Sequence, residues 1–230
     1  CTYYENIGFA KQDELVELWI KNWEQHGFEP IVLGKEHAEQ HPYYEEFCTS
    51  IKTLHQQIMG HSIQEYGMSC WVRWLAYAGL SDNTPFYASD YDIFNNGFSI
   101  ENIPEEQLHF MDYACPCFTS GTSEQFEKLC RVFVDISTQN LQQLQGSVDC
   151  IWYHDQELLL HNISDIKEVD FIKMTSEPNV GLYNHKSKKI FEVTHFAHQS
   201  IIQARNDFPY LERYDESKLR IKFIKQALGL

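Results

Sequence analysis

Apolar positions near the start of the chain follow two periods in turn, one typical of strands and one typical of helices. Residues 2–4 and 30–33 are short extended runs, and residues 11–26 between them carry apolar side chains at helical spacing. Gly27 supplies a stop for that helix. The pattern therefore predicts a strand, a helix and a second strand, which is how a parallel α/β sheet begins.

Residues 34–88 continue with helices and then return to a strand. We expect a short charged helix near residues 35–40, a helix from about residue 43, and a third helix capped by Ser69 and ended by Gly79. The third helix is built of large apolar residues around a single arginine, Arg73. The apolar run Phe86-Tyr-Ala that follows predicts a buried strand.

The rest of the chain is more mixed, and its pattern predicts strands and helices without a repeat. Strands are expected near residues 108–111, 116–118, 170–174 and 190–193, and helices after Thr122 or Ser123, over about 148–160 and over about 217–228. We predict a single α/β domain over residues 1–230, with a mostly parallel, Rossmann-like sheet flanked by helices.

Composition narrows the range of partners. The formal net charge of −15 argues against nucleic acid, because binding its phosphates requires clustered Lys and Arg. A small phosphorylated ligand remains compatible if a divalent cation lies between it and the protein. The seven cysteines show no zinc-ligand spacing, so we interpret them as mostly reduced, which favours a cytoplasmic location. No run of apolar residues approaches the length of a membrane span.

Two carboxylates, Asp90 and Asp92, follow the predicted strand directly. Side chains at positions i and i+2 of an extended segment lie on the same face, so both carboxylates are expected to point to one site. Oxygen ligands of this kind hold Mn²⁺ or Mg²⁺. The alternative is a solvated strand end, but ligand crevices of α/β sheets lie at the carboxyl ends of strands, which favours the metal site.

Other polar and aromatic residues are candidates for the same site. Arg73 either pairs with an acid or faces a diphosphate. The run Tyr3-Tyr4-Glu5 lies where the first strand ends, so it either recognises a nucleotide base or forms a core tyrosine pair. His195 and His198 are candidates to complete the metal shell, and the alternative for each is a hydrogen bond in the core or a position facing water.

These residues, in the order "CTYYEN", "EPIVL", "SCWVRWLAYAG" and "FYASDYDIF", resemble the GT-A fold glycosyltransferases, particularly the sugar transferases with a DXD motif. The resemblance covers about residues 1–98, and "VTHFAH" is similar in place to the late histidine of that family's metal site. One departure is the loop "GLSDNTP", which stands where the family has paired glycines.

The resemblance implies a metal-dependent transferase that moves a sugar from a nucleotide-diphosphate sugar to a hydroxyl of a glycan, a lipid-linked or a protein acceptor. Residues 1–98 would bind the donor, and residues 99–230 would form the acceptor side. The resemblance assigns the cation, Mn²⁺ or Mg²⁺, to Asp92 and also to Asp90, which in addition contacts the donor. Asp149 and Asp112 are candidate bases for the acceptor hydroxyl. The alternatives are a metal-dependent phosphate-ester hydrolase, with Asp90, Asp92 and a histidine as ligands, and a non-catalytic relative that binds nucleotide sugars.

The C-terminal segment "SKLRIKFIKQALGL" is a local basic cluster in an otherwise acidic chain. A peripheral contact with an anionic membrane is one interpretation of its lysines. The favoured interpretation is a helix that packs Leu219, Phe223 and Ile224 on the domain and leaves its lysines in water.

Overall fold

The structure is a computed structural model, and it describes residues 1–8, 11–80, 83–99, 107–111, 116–146, 153, 155–159 and 171–229. Asp112 and Asp149, the two candidate bases, and most of the helix predicted over 148–160 lie outside these residues.

The strands in chain order are β1 Thr2–Tyr3, β2 Val32–Leu33, β3 Phe86–Ser89, β4 Ile93–Asn95, β5 Leu108–Phe110, β6 Phe118–Gly121, β7 Ile172–Met174, β8 Val180–Leu182 and β9 Val193–His195. The helices are α1 Gln12–Gln25, α2 Lys35–Glu39, α3 Tyr44–Met59, α4 Glu65–Ala78, α5 Ser123–Gln139, α6 Leu141–Gly146, α7 Asp155–Leu158, α8 His198–Asp207 and α9 Glu216–Leu228, with a 3-10 turn at Pro209–Arg213.

The larger group of strands has the order β2-β1-β3-β6-β5-β7. Strand β1 pairs with β2 in parallel. Backbone hydrogen bonds from the amino group of Cys1 to Tyr87 and from Ser89 to Cys1 bring β3 alongside β1. The smaller sheet has the order β4-β9-β8. Strands from both ends of the chain therefore meet around the segment that carries Asp90 and Asp92.

The prediction of an α/β fold is confirmed, but the predominance of parallel pairing is not. The ladders β1–β2, β5–β7 and β8–β9 are parallel, whereas β3–β6, β5–β6 and β4–β9 are antiparallel. The reason is β6, which runs antiparallel to both of its neighbours. The sheets are mixed.

Apolar side chains pack on both faces of the larger sheet, as the alternation along β3 shows. Ala88 packs in a cluster with Trp71 and Trp74 of α4, whereas Tyr87 packs in a second cluster with Trp19 and Trp23 of α1. Successive residues of a strand point to opposite faces, so β3 is buried on both sides. Its carboxyl end is therefore held firmly between two helical layers.

Helix α4 begins one turn earlier than the sequence predicts. Its N-cap is Gln64, not Ser69, and the hydroxyl of Ser69 donates to the backbone oxygen of Tyr66 inside the helix. Gly67 does not interrupt the helix, because its neighbours already make helical backbone bonds, such as Met68 to Gln64. The extra turn places Tyr66 on the same face as Arg73.

Most remaining elements lie where the periodicity predicts them, with shifts of two or three residues in β6 and β9. Strands β4 and β8 and helices α6 and α8 were not predicted, since segments of three to ten residues carry little periodic signal. The cysteines that the structure describes are free thiols: Cys1, Cys48, Cys70, Cys117 and Cys130. Within the described part of the chain, no helix is both long and apolar enough to cross a membrane.

Candidate metal centre

Asp90 and Asp92 flank a tight turn rather than an extended strand end. Strand β3 ends at Ser89, and the backbone nitrogen of Asp90 still donates to the oxygen of Cys117 at 2.9 Å. The nitrogen of Ile93 then donates to the oxygen of Asp90 at 3.1 Å, which closes a four-residue turn into β4. The expectation of an extended pair was wrong in its local geometry, but the turn still directs both carboxylates to one place.

His195 joins the two carboxylates through the pairing of β9 with β4. In that antiparallel ladder His195 lies opposite Ile93, and the backbone nitrogen of Phe196 donates to the oxygen of Asp92 at 2.9 Å. One ligand atom from each of Asp90, Asp92 and His195 lies within 4.8 Å of the others. The fold therefore brings together three of the four predicted metal ligands.

Asp92 is nearly enclosed, with 8% of its surface exposed. Its Oδ2 accepts a hydrogen bond from Nη1 of Arg220 at 3.1 Å, and its Oδ1 lies 3.3 Å from Nε2 of His195. Burial alone would raise the pKa of Asp92, but His195 and Arg220 outweigh it, so the pKa lies below its ordinary value. Oδ1 is buried and accepts no well-oriented hydrogen bond from any described residue.

Cys117 contacts the other side of the His195 ring. Its sulfur is 3.3 Å from Nδ1, and both side chains are buried. A histidine that binds a metal through Nε2 carries its proton on Nδ1, and a partner at that nitrogen sets the ring's orientation. Cys117 occupies the place of that partner.

Arg73 bridges two carboxylates instead of pointing into open space. Its Nη1 donates to Oδ1 of Asp90 at 2.6 Å, and its Nη2 donates to Oδ2 of Asp155 at 2.7 Å. Asp155 also accepts from Nε1 of Trp74 at 2.8 Å. Burial acts to lower the pKa of Arg73, but Asp155 and Asp90 reverse this, so the pKa is well above its ordinary value. In this structure Arg73 pairs with acids, and it orients Asp90.

Cys70 lies on α4 one turn before Arg73, and its thiol is held neutral. Burial is the main cause and Asp155 the second, and together they raise the pKa of Cys70 to about 12. Tyr66, one further turn away, is 61% exposed. This face of α4 therefore lines the edge of the carboxylate cluster.

The run Tyr3-Tyr4-Glu5, which was predicted either to recognise a nucleotide base or to form a core tyrosine pair, lies partly in the core and partly beside the site. Tyr3 is buried, and its hydroxyl donates to Oε2 of Glu5 at 2.8 Å. Tyr4 is half-buried and stands edge-on to Tyr91, the residue between the two aspartates, with ring centroids 6.1 Å apart. Tyr4 thus lies beside the turn, Glu5 binds the hydroxyl of Tyr3, and the ring of Tyr3 belongs to the core.

His198 is placed away from the other candidate ligands. It is the first residue of α8, its side chain is largely exposed, and its Nδ1 lies 2.5 Å from Oε1 of Glu216. The group of mutually close ligand atoms contains His195 and not His198.

Three residues of the centre were missed from the sequence. Asp155 is the last residue of "VDCIWYHD", which also contains Asp149, and Cys117 was interpreted only as one of several reduced thiols. Arg220 does not share the helix face of Lys222 and Lys225, and it points to Asp92 instead. That irregularity in the helical pattern was the available signal.

Comparisons with known proteins supply no family for this chain. No protein-family model, no curated protein and no solved structure matches it. The functional argument rests on the residues and the geometry of the centre.

Proposed function

We propose that this chain is a metal-dependent glycosyltransferase, which moves a sugar from a nucleotide-diphosphate sugar to an acceptor hydroxyl. The observation that carries the proposal is the cluster of Asp90, Asp92 and His195 at the carboxyl end of β3. Ligands of α/β sheets bind at that end of the strands. The order of motifs that resembles the GT-A enzymes supports the same proposal, because the DXD stretch and the late histidine converge.

The donor set fits Mn²⁺ or Mg²⁺. Two carboxylates and one imidazole are ligands that these ions accept, and Mn²⁺ tolerates the nitrogen better than Mg²⁺ does. Oδ1 of Asp92 is buried and lies 3.3 Å from Nε2 of His195, so a cation bound to both atoms would satisfy it. The cation would supply positive charge to a diphosphate leaving group as its bond to the sugar breaks.

The chain's own residues position the reacting groups. Arg73 holds Asp90 through a charge-assisted hydrogen bond, and Asp155 holds Arg73 from the other side. Arg220 holds the second oxygen of Asp92, which leaves Oδ1 directed at His195. Tyr4 and Tyr91 offer aromatic edges at the rim for a nucleotide base.

Titration calorimetry with Mn²⁺, followed by a panel of uridine, guanosine and cytidine nucleotide sugars, tests the proposal. We expect Mn²⁺ to bind, one nucleotide sugar to bind only when Mn²⁺ is present, and its nucleotide diphosphate to be released slowly by water. Asp92→Asn should abolish both binding events. Asp135→Asn removes one exposed carboxylate from α5 and should leave both unchanged.

The other outcomes separate the alternatives. Turnover of simple phosphate esters without sugar transfer would identify the hydrolase. Metal-dependent binding of a nucleotide sugar without any turnover would identify a non-catalytic relative. Failure of the native chain to bind Mn²⁺ would contradict the proposed centre itself.

A further inference from the structure

Aromatic side chains flank the candidate metal centre on two opposite sides. Strand β3 separates the layer that contains α1 from the layer that contains α4. On the α1 side, the hydroxyl of Tyr91 accepts from Nε2 of Gln12 at 2.7 Å, and the ring of Tyr91 stands edge-on to Tyr4. On the α4 side, Tyr66 lies two turns before Arg73 on the same helix face. A ligand that spans the centre can therefore contact an aromatic ring at each end.

Tyr66 presents its ring to solvent at the edge of the centre. The residue is largely exposed, although the same helix carries Trp71 and Trp74 in the core. Its hydroxyl contacts the thiol of Cys70 one turn later, which holds the ring along the helix. The face of an aromatic ring is electron-rich, so it suits the C–H groups on one side of a sugar ring.

Carboxylates outnumber guanidinium groups by two around the centre. Four carboxylates share two guanidinium groups: Asp90 and Asp155 with Arg73, and Asp92 and Glu216 with Arg220. Each of the four Nη atoms already donates to a carboxylate oxygen. A divalent cation would balance the excess, and the diphosphate of a donor would make the sum negative again.

The groups that α4 offers beside Arg73 are neutral. Burial is the main cause and Asp155 the second that raise the pKa of the Cys70 thiol to about 12, so the thiol is uncharged at neutral pH. A carboxylate on a bound sugar would meet the fixed charges of Asp90 and Asp155 and be repelled. Hydroxyl groups of a sugar can instead donate hydrogen bonds to carboxylate oxygens.

We propose that the donor carries an uncharged sugar and that the ring of this sugar packs against Tyr66. The inference rests on the proposed function, to which it adds the class of sugar and a residue that selects it. With the diphosphate at the cation, the base lies on the side of Tyr4 and Tyr91, and the sugar lies on the side of Tyr66. The ring contact contributes affinity for the sugar, and the excess of carboxylates selects against sugar acids.

Titration calorimetry with two matched pairs of donors tests the class of sugar. The pairs are UDP-glucose with UDP-glucuronate and GDP-mannose with GDP-mannuronate, each titrated in the presence of Mn²⁺. We expect one neutral donor to bind and its acidic counterpart to bind at least about tenfold more weakly, because the two differ only by a carboxylate on the sugar. Equal or tighter binding of the acidic donor would overturn the inference.

Substitution of Tyr66 tests the ring contact. Tyr66→Ala should weaken the neutral donor about tenfold, whereas the matching nucleoside diphosphate, which lacks the sugar, should stay within about twofold. Tyr66→Phe keeps the ring and should bind the donor as the native chain does. The control Tyr210→Ala removes a similarly exposed tyrosine from the 3-10 turn and should leave both affinities unchanged.

The outcomes distinguish this inference from the proposed function. If Tyr66→Ala binds the neutral donor normally, or loses donor and nucleoside diphosphate equally, the sugar does not pack on Tyr66, and metal-dependent donor binding still stands. Failure of the native chain to bind any of the four donors with Mn²⁺ would refute both the proposed donor and this inference.

Discussion

Nη1 of Arg220 lies 3.1 Å from Oδ2 of Asp92, although the two residues are 128 positions apart in the chain. Nη2 of the same guanidinium lies 3.0 Å from Oε1 of Glu216, one turn earlier on α9. The C-terminal helix is thus anchored on the residue that we assign to the metal. Anchoring of α9 and occupation of the centre depend on the same carboxylate.

This relationship predicts that Asp92 contributes to stability as well as to metal binding. The side chains of Asp92 and Arg220 are 12% and 15% exposed, so removing one partner leaves a charge in a poorly solvated place. We expect Asp92→Ala to lower the free energy of unfolding in metal-free buffer by about 3 kcal/mol. Urea denaturation with EDTA measures the change.

A double-mutant cycle attributes the loss to the pair. Asp92→Asn combined with Arg220→Gln should destabilise less than the sum of the two single changes, by at least about 1 kcal/mol. The exposed pair of Glu127 and Arg131 on α5 is the control, and its coupling should not exceed about 0.5 kcal/mol. Additive effects for Asp92 and Arg220 would show that the contact does not stabilise the fold.

The lowered pKa of Asp92 predicts a pH dependence of stability. Because the folded pKa lies below the unfolded value of about 3.9, the ionised carboxylate stabilises the fold above about pH 4. That contribution is lost as the pH falls through the folded pKa. The difference in unfolding free energy between the native chain and Asp92→Asn should therefore be larger at pH 5 than at pH 3, measured without metal. A difference that stays constant over this interval would refute the shift.

Arg73→Lys is predicted to destabilise the fold, because lysine cannot reproduce a fork that joins two carboxylates. The side chain of Asp155 is only 3% exposed and would lose a partner. We expect a loss of about 2 kcal/mol in unfolding free energy and a weaker affinity for Mn²⁺, since Asp90 is no longer oriented. Arg131→Lys, an exposed change on α5, should alter stability by no more than about 0.5 kcal/mol. An unchanged melting temperature in Arg73→Lys would show that the two hydrogen bonds from the guanidinium are not needed for stability.

Cys117→Ala tests the contact behind His195. Removing the sulfur leaves Nδ1 without that neighbour, and loss of such a partner weakens metal binding by about tenfold or more. Calorimetry with Mn²⁺ measures the affinity, and circular dichroism checks the fold. Cys130→Ala, which removes a buried thiol from α5, is the control and should bind Mn²⁺ normally. Equal affinities of the two variants would exclude a role for Cys117 in positioning the ring.

Elements whose signals are local could be predicted from the sequence. Apolar periodicity located α1, α3, α5 and α9 to within a few residues, and Gly27, Gly60 and Thr122 lie at their ends because they supply a left-handed residue or a cap. Asp90 and Asp92 were identified for the same reason, since both follow one buried strand directly.

Which distant residues share a site depends on how the elements pack, and the sequence pattern does not show it. The pairing of β9 with β4 selected His195 over His198, and the packing of α9 directed Arg220 to Asp92. Periodicity reports which face of an element is apolar, but it carries no information on which element covers that face. Contacts between residues a hundred or more positions apart arise from the packing of whole elements, so the centre became visible only once the strands were paired.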